Sequence, residues 1–375
     1  MLFLLTKIIQ FYLKMFKIFV FSKINNIFAI SKKICKKMNF SIIIPLYNRP
    51  QEISELLESL TKQTVKNFDV IVVEDGSQEK SNEIIKKYSN KLDIKYYQKE
   101  NSGPGTTRNF GAKLSSKDYF IFFDSDCIIP EKYMEIVTQR LENNYTDCYG
   151  GPDAAMDSFS DIQKAISYSM TSVISTGGIR GANEKAGKFH PRSFNMGFSK
   201  EVFQKTGGYS KMRFGEDIDM TLRILENGFK TQLIKEAFVY HKRRTDFKKF
   251  FRQVFNSGCA RINLYLRHKN SLKAVHFLPS CFLLGNVFLI IAAIVLSLIF
   301  KSLIPGIICI SPLILFCLIV LADSMRKNSL KVGFLSISAV YTQLFGYGSG
   351  FLKAVLFGLI LKKGDTSGFT KNFYK

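Results

Sequence analysis

The sequence predicts an α/β domain, with a mostly parallel sheet and helices on both faces, followed by C-terminal transmembrane helices. Three observations predict it. From Phe40 to about Phe238, short β-rich apolar runs alternate with amphipathic stretches, the pattern of parallel strands buried on both faces. Beyond residue 276 the composition turns abruptly apolar over runs long enough to cross a bilayer, for which about 20 residues suffice. The net charge of +23 also lies almost wholly outside the α/β region: residues 1–37 hold eight Lys and no acid, 241–275 ten Lys or Arg against one Asp, and 301–375 nine against two.

In chain order, "FSIIIPLYN" reads as the first strand, "QEISELLESLTKQ" as a helix, "FDVIVVEDGS" as the second strand, "EKSNEIIKKYSN" as a helix and "DIKYYQ" as the third strand. A Gly-rich loop, "NSGPGTTRN", opens the next helix, and "DYFIFFDSD" is a strand apolar enough to be fully buried that ends in two acids. Carboxylates at the lip of a core strand need solvent or a cation. Pro45, Asp75 and Asp124 all fall at the carboxyl ends of strands, where sheets of this class bind ligands.

Basic flanks beside apolar runs fit an anionic membrane surface, at about 1 kcal/mol per Lys or Arg. They carry no RNP-like or zinc-finger pattern, which excludes nucleic acid as the expected partner. Seven scattered cysteines without a C-x-x-C pair fit a reducing cytoplasm rather than a disulfide framework. The expected organisation is a basic amphipathic segment 1–37, an interfacial helix unless Met38 is the start; an α/β domain 38–260; a basic juxtamembrane linker 261–275; a membrane region 276–363; and a basic tail 364–375. Spans are expected at 277–300 and 303–322. A third segment, 332–361, contains Gly346, Gly348 and Gly350 and reads as re-entrant or two-pass, since one crossing would leave the basic tail outside. The positive-inside rule then places a multi-pass protein in the inner membrane with its α/β domain in the cytoplasm.

Four ordered blocks, "SIIIPLYNRPQEISELLESLTKQT", "FDVIVVEDGS", "NSGPGTTRNFGAKLSSKDYFIFFDSD" and "GGYSKMRFGEDIDMTLRILENGFK", resemble the family 2 glycosyltransferases with a GT-A fold, a Rossmann-like architecture, over residues 39 to about 260. The resemblance implies transfer of a sugar, with inversion, from a nucleotide-diphosphate donor, expected to be a UDP-sugar, with Mn2+ or Mg2+ as cofactor. It implies that Pro45, Tyr47, Asn48, Asp75, Arg108 and Asp124 bind the nucleotide sugar, Asp75 through the nucleobase. Asp126 is implied as the direct metal ligand, with Asp124 on the ribose or a metal-bound water and His241, in a "V-x-H" setting, as a third ligand. Asp217 is implied as the base with Glu216 as its understudy, and Asn195 as a residue facing the acceptor. Glu74 stands where the family often has Asp.

The chemistry is consistent on its own terms. A departing diphosphate needs a Lewis acid, and hard cations prefer carboxylate oxygens. An Arg fork beside a Gly-rich loop suits a diphosphate. One positioned carboxylate serves a single inverting displacement, although acids in a first helical turn also simply stabilise the helix dipole. The chain has no Trp and so lacks the Q-x-x-R-W motif of processive synthases. The expected reaction is addition of one sugar to a lipid-linked or glycan acceptor in envelope polysaccharide or glycolipid synthesis. A polyprenyl-phosphate glycosyltransferase is the alternative, and a catalytically silent membrane scaffold the rival from another class.

Overall fold

The structure is a computed structural model describing residues 38–154, 156, 158–176 and 189–364. The N-terminal segment expected to be an interfacial helix, and the tail beyond residue 364, lie outside the described residues. The first half runs β1 (Phe40–Leu46), α1 (Pro50–Thr61), β2 (Phe68–Asp75), α2 (Asn82–Lys86), β3 (Ile94–Lys99), α3 (Pro104–Leu114) and β4 (Tyr119–Phe123). Then follow β5 (Cys127–Ile128), α4 (Tyr133–Asn143), β6 (Cys148–Gly150), β7 (Asp153–Ala154), α5 (Asp161–Thr171) and α6 (Val173–Thr176). The domain closes with β8 (Asn195–Ser199), α7 (Lys200–Thr206), α8 (Glu216–Glu226), β9 (Thr231–Leu233) and β10 (Val239–His241). The helix expected after β2 shrinks to the five residues of α2, because the amides of Lys87 and Tyr88 turn back onto the carbonyls three residues earlier.

Seven strands form one sheet in the order β3-β2-β1-β4-β8-β6-β9. β1 pairs in parallel with both β2 and β4, and β2 with β3. The chain therefore steps outward from β1 to β3 and returns on the other side of β1. That reversal opens a crevice beyond the carboxyl ends of β1 and β4, the usual ligand position in such sheets. β8 runs antiparallel to β4 and β6, and β9 parallel to β6.

Alternation along the strands sorts the core into two layers. Ile42, Ile44, Val70, Val72, Ile121 and Phe123 lie beneath α1 and α4; Ile43, Ile71, Val73, Phe120 and Phe122 lie beneath α3, α7 and α8. Burying each such side chain contributes about 1.5–3 kcal/mol, which fixes the strand ends that carry the polar residues. A second, three-stranded sheet, β5-β10-β7, is minimal in length. Its pairing of His241 with Cys127 brings a residue from the end of the domain beside Asp126.

Beyond β10, α9 (Phe247–Arg267) leads into α10 (Leu278–Ile299), α11 (Ile304–Met325) and α12 (Leu330–Ala354), which continues as a wider turn through Ile360. The last three are long and apolar enough to cross a membrane, with mean hydropathies of 2.8, 2.8 and 1.3. The expectation of a re-entrant or two-pass third segment is corrected: α12 runs as one helix through its glycines. Those glycines serve close approach instead. A Cβ on Gly350 would overlap the Phe255 carbonyl, one on Gly258 of α9 the Tyr347 carbonyl, and one on Gly348 the Pro279 carbonyl of α10. Gly346 and Gly350, four residues apart, let α9 and α12 meet backbone to backbone, as small residues do between membrane helices. α12 also touches α5 through Lys331 and Asp161, 2.8 Å apart, and Tyr168 of α5 donates to Asp323 of α11 at 2.8 Å.

Candidate active site

Where β4 ends, the backbone leaves the sheet and the two acids of "FDSD" diverge. The Asp124 side chain is 31% exposed and the Asp126 side chain 11%. Arg49, at the N-terminus of α1 and so beside the end of β1, donates to Asp126 Oδ2. On the other side His241 Nε2 lies 3.1 Å from Asp126 Oδ1, its ring stacked on Phe194 with centroids 4.8 Å apart. Burial by itself would raise the Asp126 carboxyl; His241 and Arg49 outweigh it and hold the group well below the usual carboxylate range. For His241 burial pulls down and Asp126 pulls up, with a net rise.

The ligand atoms of Asp126, Cys127 and His241 lie within 4.8 Å of one another. Burial pushes the Cys127 thiol well up, and its soft sulfur suits hard Mn2+ or Mg2+ less well than carboxylate oxygen or imidazole nitrogen. A carboxylate and an imidazole aimed at one point, with Asp124 at the mouth, fit a divalent cation that accepts oxygen and nitrogen donors. His241 Nδ1 is buried without a hydrogen-bond partner, so the ring's polar contact is made wholly through Nε2.

Arg108, on α3 and 2% exposed, ties the two acidic motifs together. Its guanidinium donates to Asp124 Oδ1 at 2.5 Å and to Glu216 Oε1 at 3.2 Å, and it lies 5.3 Å from the centre of the Tyr209 ring. The fork expected on a diphosphate is thus engaged by carboxylates from β4 and α8. Glu216 is pushed up to about 7, first by burial and then by Asp217, against the pull of Arg108. Asp217, next along α8, accepts from Arg192 at 3.2 Å and from the Ile218 amide at 2.8 Å. Asp219 points away, held by Arg223 at 2.7 Å and His268 at 3.0 Å.

At the end of β2, Asp75 accepts from the amides of Ser102 and Gly103, both at 2.9 Å, and from Lys99. It folds the Gly-rich loop against the sheet. Asn48, at φ 49°, accepts from the Gln78 amide at 2.7 Å, and its own amide donates to Ser77 at 2.9 Å; it links the loops after β1 and β2. Pro45 and Tyr47 are half-buried at the same end of β1.

Asn195 is where the structure departs most from expectation. It does not face an acceptor: it is fully buried, accepting from the Tyr133 hydroxyl at 2.6 Å and donating to the Ala237 carbonyl at 2.8 Å. Both ends of its amide are used to join α4, β8 and the segment before β10. Sequence reasoning missed Arg49 and Arg192. Arg49 carried a signal, since it directly follows Asn48 at the end of β1; Arg192 carried none, because its partner Asp217 is 25 residues away.

Acids just after β4 and at the start of α8, tied together by Arg108 beyond the carboxyl ends of the parallel strands of a mixed sheet, fit a GT-A transferase fold. The chain belongs to glycosyltransferase family 2: the model for "Glycosyl transferase family 2" matches residues 41–207. An uncharacterised glycosyltransferase of Haemophilus influenzae is 34% identical over 207 residues, which are 53% of this chain and 67% of the relative. The poly(ribitol-phosphate) beta-N-acetylglucosaminyltransferase TarS of Staphylococcus aureus is 37% identical over 114 residues, 29% of this chain but only 20% of that protein's length. A mannosyltransferase of Pyrobaculum calidifontis, solved in complex with GDP-Man and Mn2+, shares the fold with a TM-score of 0.55 at 11% identity, over 86% of this chain and 88% of that one.

Proposed function

We propose that residues 38–260 catalyse inverting transfer of a sugar from a nucleotide-diphosphate donor to a lipid-linked acceptor at the cytoplasmic face of a membrane, in glycolipid or envelope polysaccharide synthesis. The observation that carries the reading is one constellation: Asp124, Asp126 and His241 on one wall of the crevice, Glu216 and Asp217 on the other, and Arg108 bonded to both. Asp126 and His241, with Asp124, would hold Mn2+ or Mg2+, whose charge offsets that of a departing diphosphate. Asp217 takes the proton from the acceptor hydroxyl as its oxygen attacks the anomeric carbon opposite the leaving group. Arg192 and the Ile218 amide fix that carboxylate in place, whereas Glu216 is buried against Arg108 and less free to receive a proton.

Three apolar helices, of which α12 meets α5 and α9, α11 meets α5 and α10 meets α12, support an acceptor held in the bilayer, because confinement to a surface raises its effective concentration. The test is Mn2+-dependent release of nucleoside diphosphate from a panel of sugar nucleotides by the full chain in detergent with membrane lipid extract. Release from one donor that is lost in Asp126→Ala and Asp217→Asn is the expected result. Release that survives in either variant removes that residue from its role.

A further inference from the structure

The helices α10 and α11 have 22 residues each and are joined by the turn 300–303. A Cβ on Gly306 would meet the Ser297 hydroxyl and the Ala293 carbonyl, so the pair is packed together beside that turn. Antiparallel helices of one length put their other ends, Leu278 and Met325, at one level. These two ends are the feet of a hairpin, and α12 touches both.

Near its start, Ser336 shares a hydrogen bond with Ser324 of α11 at 2.8 Å, and Gly333 lies against Leu321 and Met325. Fifteen residues later the Gly348 carbonyl accepts from the Ser280 hydroxyl of α10 at 3.2 Å, and the Phe351 ring meets Phe277 at 5.0 Å. Fifteen residues are about 22 Å of helix. A helix descending beside the hairpin would by then lie opposite the far half of α10, whereas α12 has returned to a foot. Between these points Tyr341 and Phe345 meet Phe282, only five residues beyond Phe277.

α12 also runs beside α9. Gly346 meets Phe251 and Val254, the Cys259 thiol donates to the Gly350 carbonyl at 3.2 Å, and a Cβ on Gly358 would touch Ile262 and Leu266. Arg252 and Arg267 are exposed near the two ends of α9, and guanidinium groups are costly to carry into hydrocarbon. α9 is held to the catalytic domain as well: Leu264 and Ala260 pack on Gly215, which precedes α8, and His268 meets Asp219 at 3.0 Å. The outward side of α12 is mixed, with Phe334, Leu356, Phe357 and Ile360 exposed alongside Ser338 and Lys353. Its mean hydropathy of 1.3, against 2.8 for each hairpin helix, suits headgroups better than acyl chains.

We infer that α12 does not cross the membrane: it lies in the lipid interface, across the feet of a two-helix anchor and between the catalytic domain and the bilayer. Its partner is the lipid surface, continuous with the exposed sides of α10 and α11. Lys362 and Lys363 then stand on the same side as the catalytic domain, as the positive-inside rule requires of basic residues beside a cytoplasmic domain. Through α9 and Gly215, the helix also sets the height of Glu216 and Asp217 above the lipid. The inference goes beyond sugar transfer and does not depend on it.

The experiment uses the full chain in sealed lipid vesicles. Because the chain has no Trp, Thr342→Trp, 12 residues beyond the start of α12, and Phe288→Trp, 10 beyond that of α10, are single reporters of depth. Lipids brominated near the headgroup are expected to quench Thr342→Trp more than lipids brominated at the chain centre, and Phe288→Trp the reverse. Deep quenching of both overturns the inference, and a Thr342→Trp shielded from both lipids gives the face to a protein partner and overturns its lipid half. In a second arm, protease sites are placed at Gly228, where an added side chain meets nothing within 4 Å, and after Lys363. Both should be cut, or both spared, in the same molecules, and both cut once detergent is added. Molecules cut at one site alone put the ends of α12 on opposite faces and overturn the inference. This arm leaves the residues of α10, α11 and α12 unaltered, so it decides the question even where a Trp variant fails to fold.

Discussion

At the end of β4, Asp126 meets Arg49 and His241 and is held ionised; at the start of α8, Glu216 meets Arg108 yet is pushed up to about 7. Both carboxyls are buried and both touch a guanidinium. The difference lies in the second neighbour. Asp126 has a second hydrogen-bonding partner in His241, whereas Glu216 has a second acid in Asp217, so burial loses at the first and wins at the second. The split leaves Asp126 a held charge and Glu216 a carboxyl tied to Arg108, with Asp217 beside it as the base.

The widest break in that contrast comes from Asp217→Asn. It preserves shape and removes the proton acceptor, so turnover should fall by about 10²–10⁴-fold, the usual contribution of a general base, with donor affinity little changed. Steady-state kinetics on the donor found in the panel checks this. If kcat holds while the acceptor KM rises, Asp217 positions the acceptor and the base is elsewhere. Asp126→Asn comes next: losing one electrostatic partner of the departing charge costs about 10²–10³-fold, and the Mn2+ response of the remaining activity should flatten. An unchanged Mn2+ curve would remove Asp126 as a ligand.

Arg108→Gln attacks both walls at once. Breaking a buried pair by removing one partner costs about 3–5 kcal/mol, and here the loss strands Asp124 and Glu216 together. Denaturant unfolding of the detergent-solubilised chain should show a shift of that order. A change below about 1 kcal/mol would mean that solvent reaches the crevice freely and the guanidinium is not a tie.

The contrast also explains what could be read from sequence. β1, β2 and β4 were legible because a strand buried on both faces must be apolar throughout, and an acid after such a run is conspicuous. Asp124, Asp126 and the acids of α8 were found that way and through the ordered blocks. Asn195 misled because its partners, Tyr133 and Ala237, are 62 and 42 residues away, and no local pattern separates a polar residue bonded inside from one facing solvent. Gly346 and Gly350 misled for a related reason. Glycine weakens an isolated helix, yet it permits the approach of α9 that stabilises this one. The same blindness hid Arg49 and Arg192, whose roles exist only once β4 and α8 are in place.

Glu216→Gln gives the smallest effect and the sharpest test of the asymmetry. The wild-type carboxyl ionises near its ordinary 4.5 when unfolded and near about 7 when folded. Between those values the folded chain binds more protons than the unfolded one, so stability must fall as pH rises through the window and level off above it. Asp126 gives the opposite sign: its folded value is depressed, so its contribution is present above the ordinary 3.8 and is lost on going lower. From pH 5 to 7.5 the unfolding midpoint of wild type relative to Glu216→Gln, which copies the protonated side chain, should therefore drift down by a few degrees; the difference isolates Glu216, because His190 and His276, whose folded values are depressed, push both proteins the opposite way. If the difference stays flat with pH, Arg108 neutralises Glu216 as completely as its partners neutralise Asp126, and the two walls of the crevice are electrostatically alike.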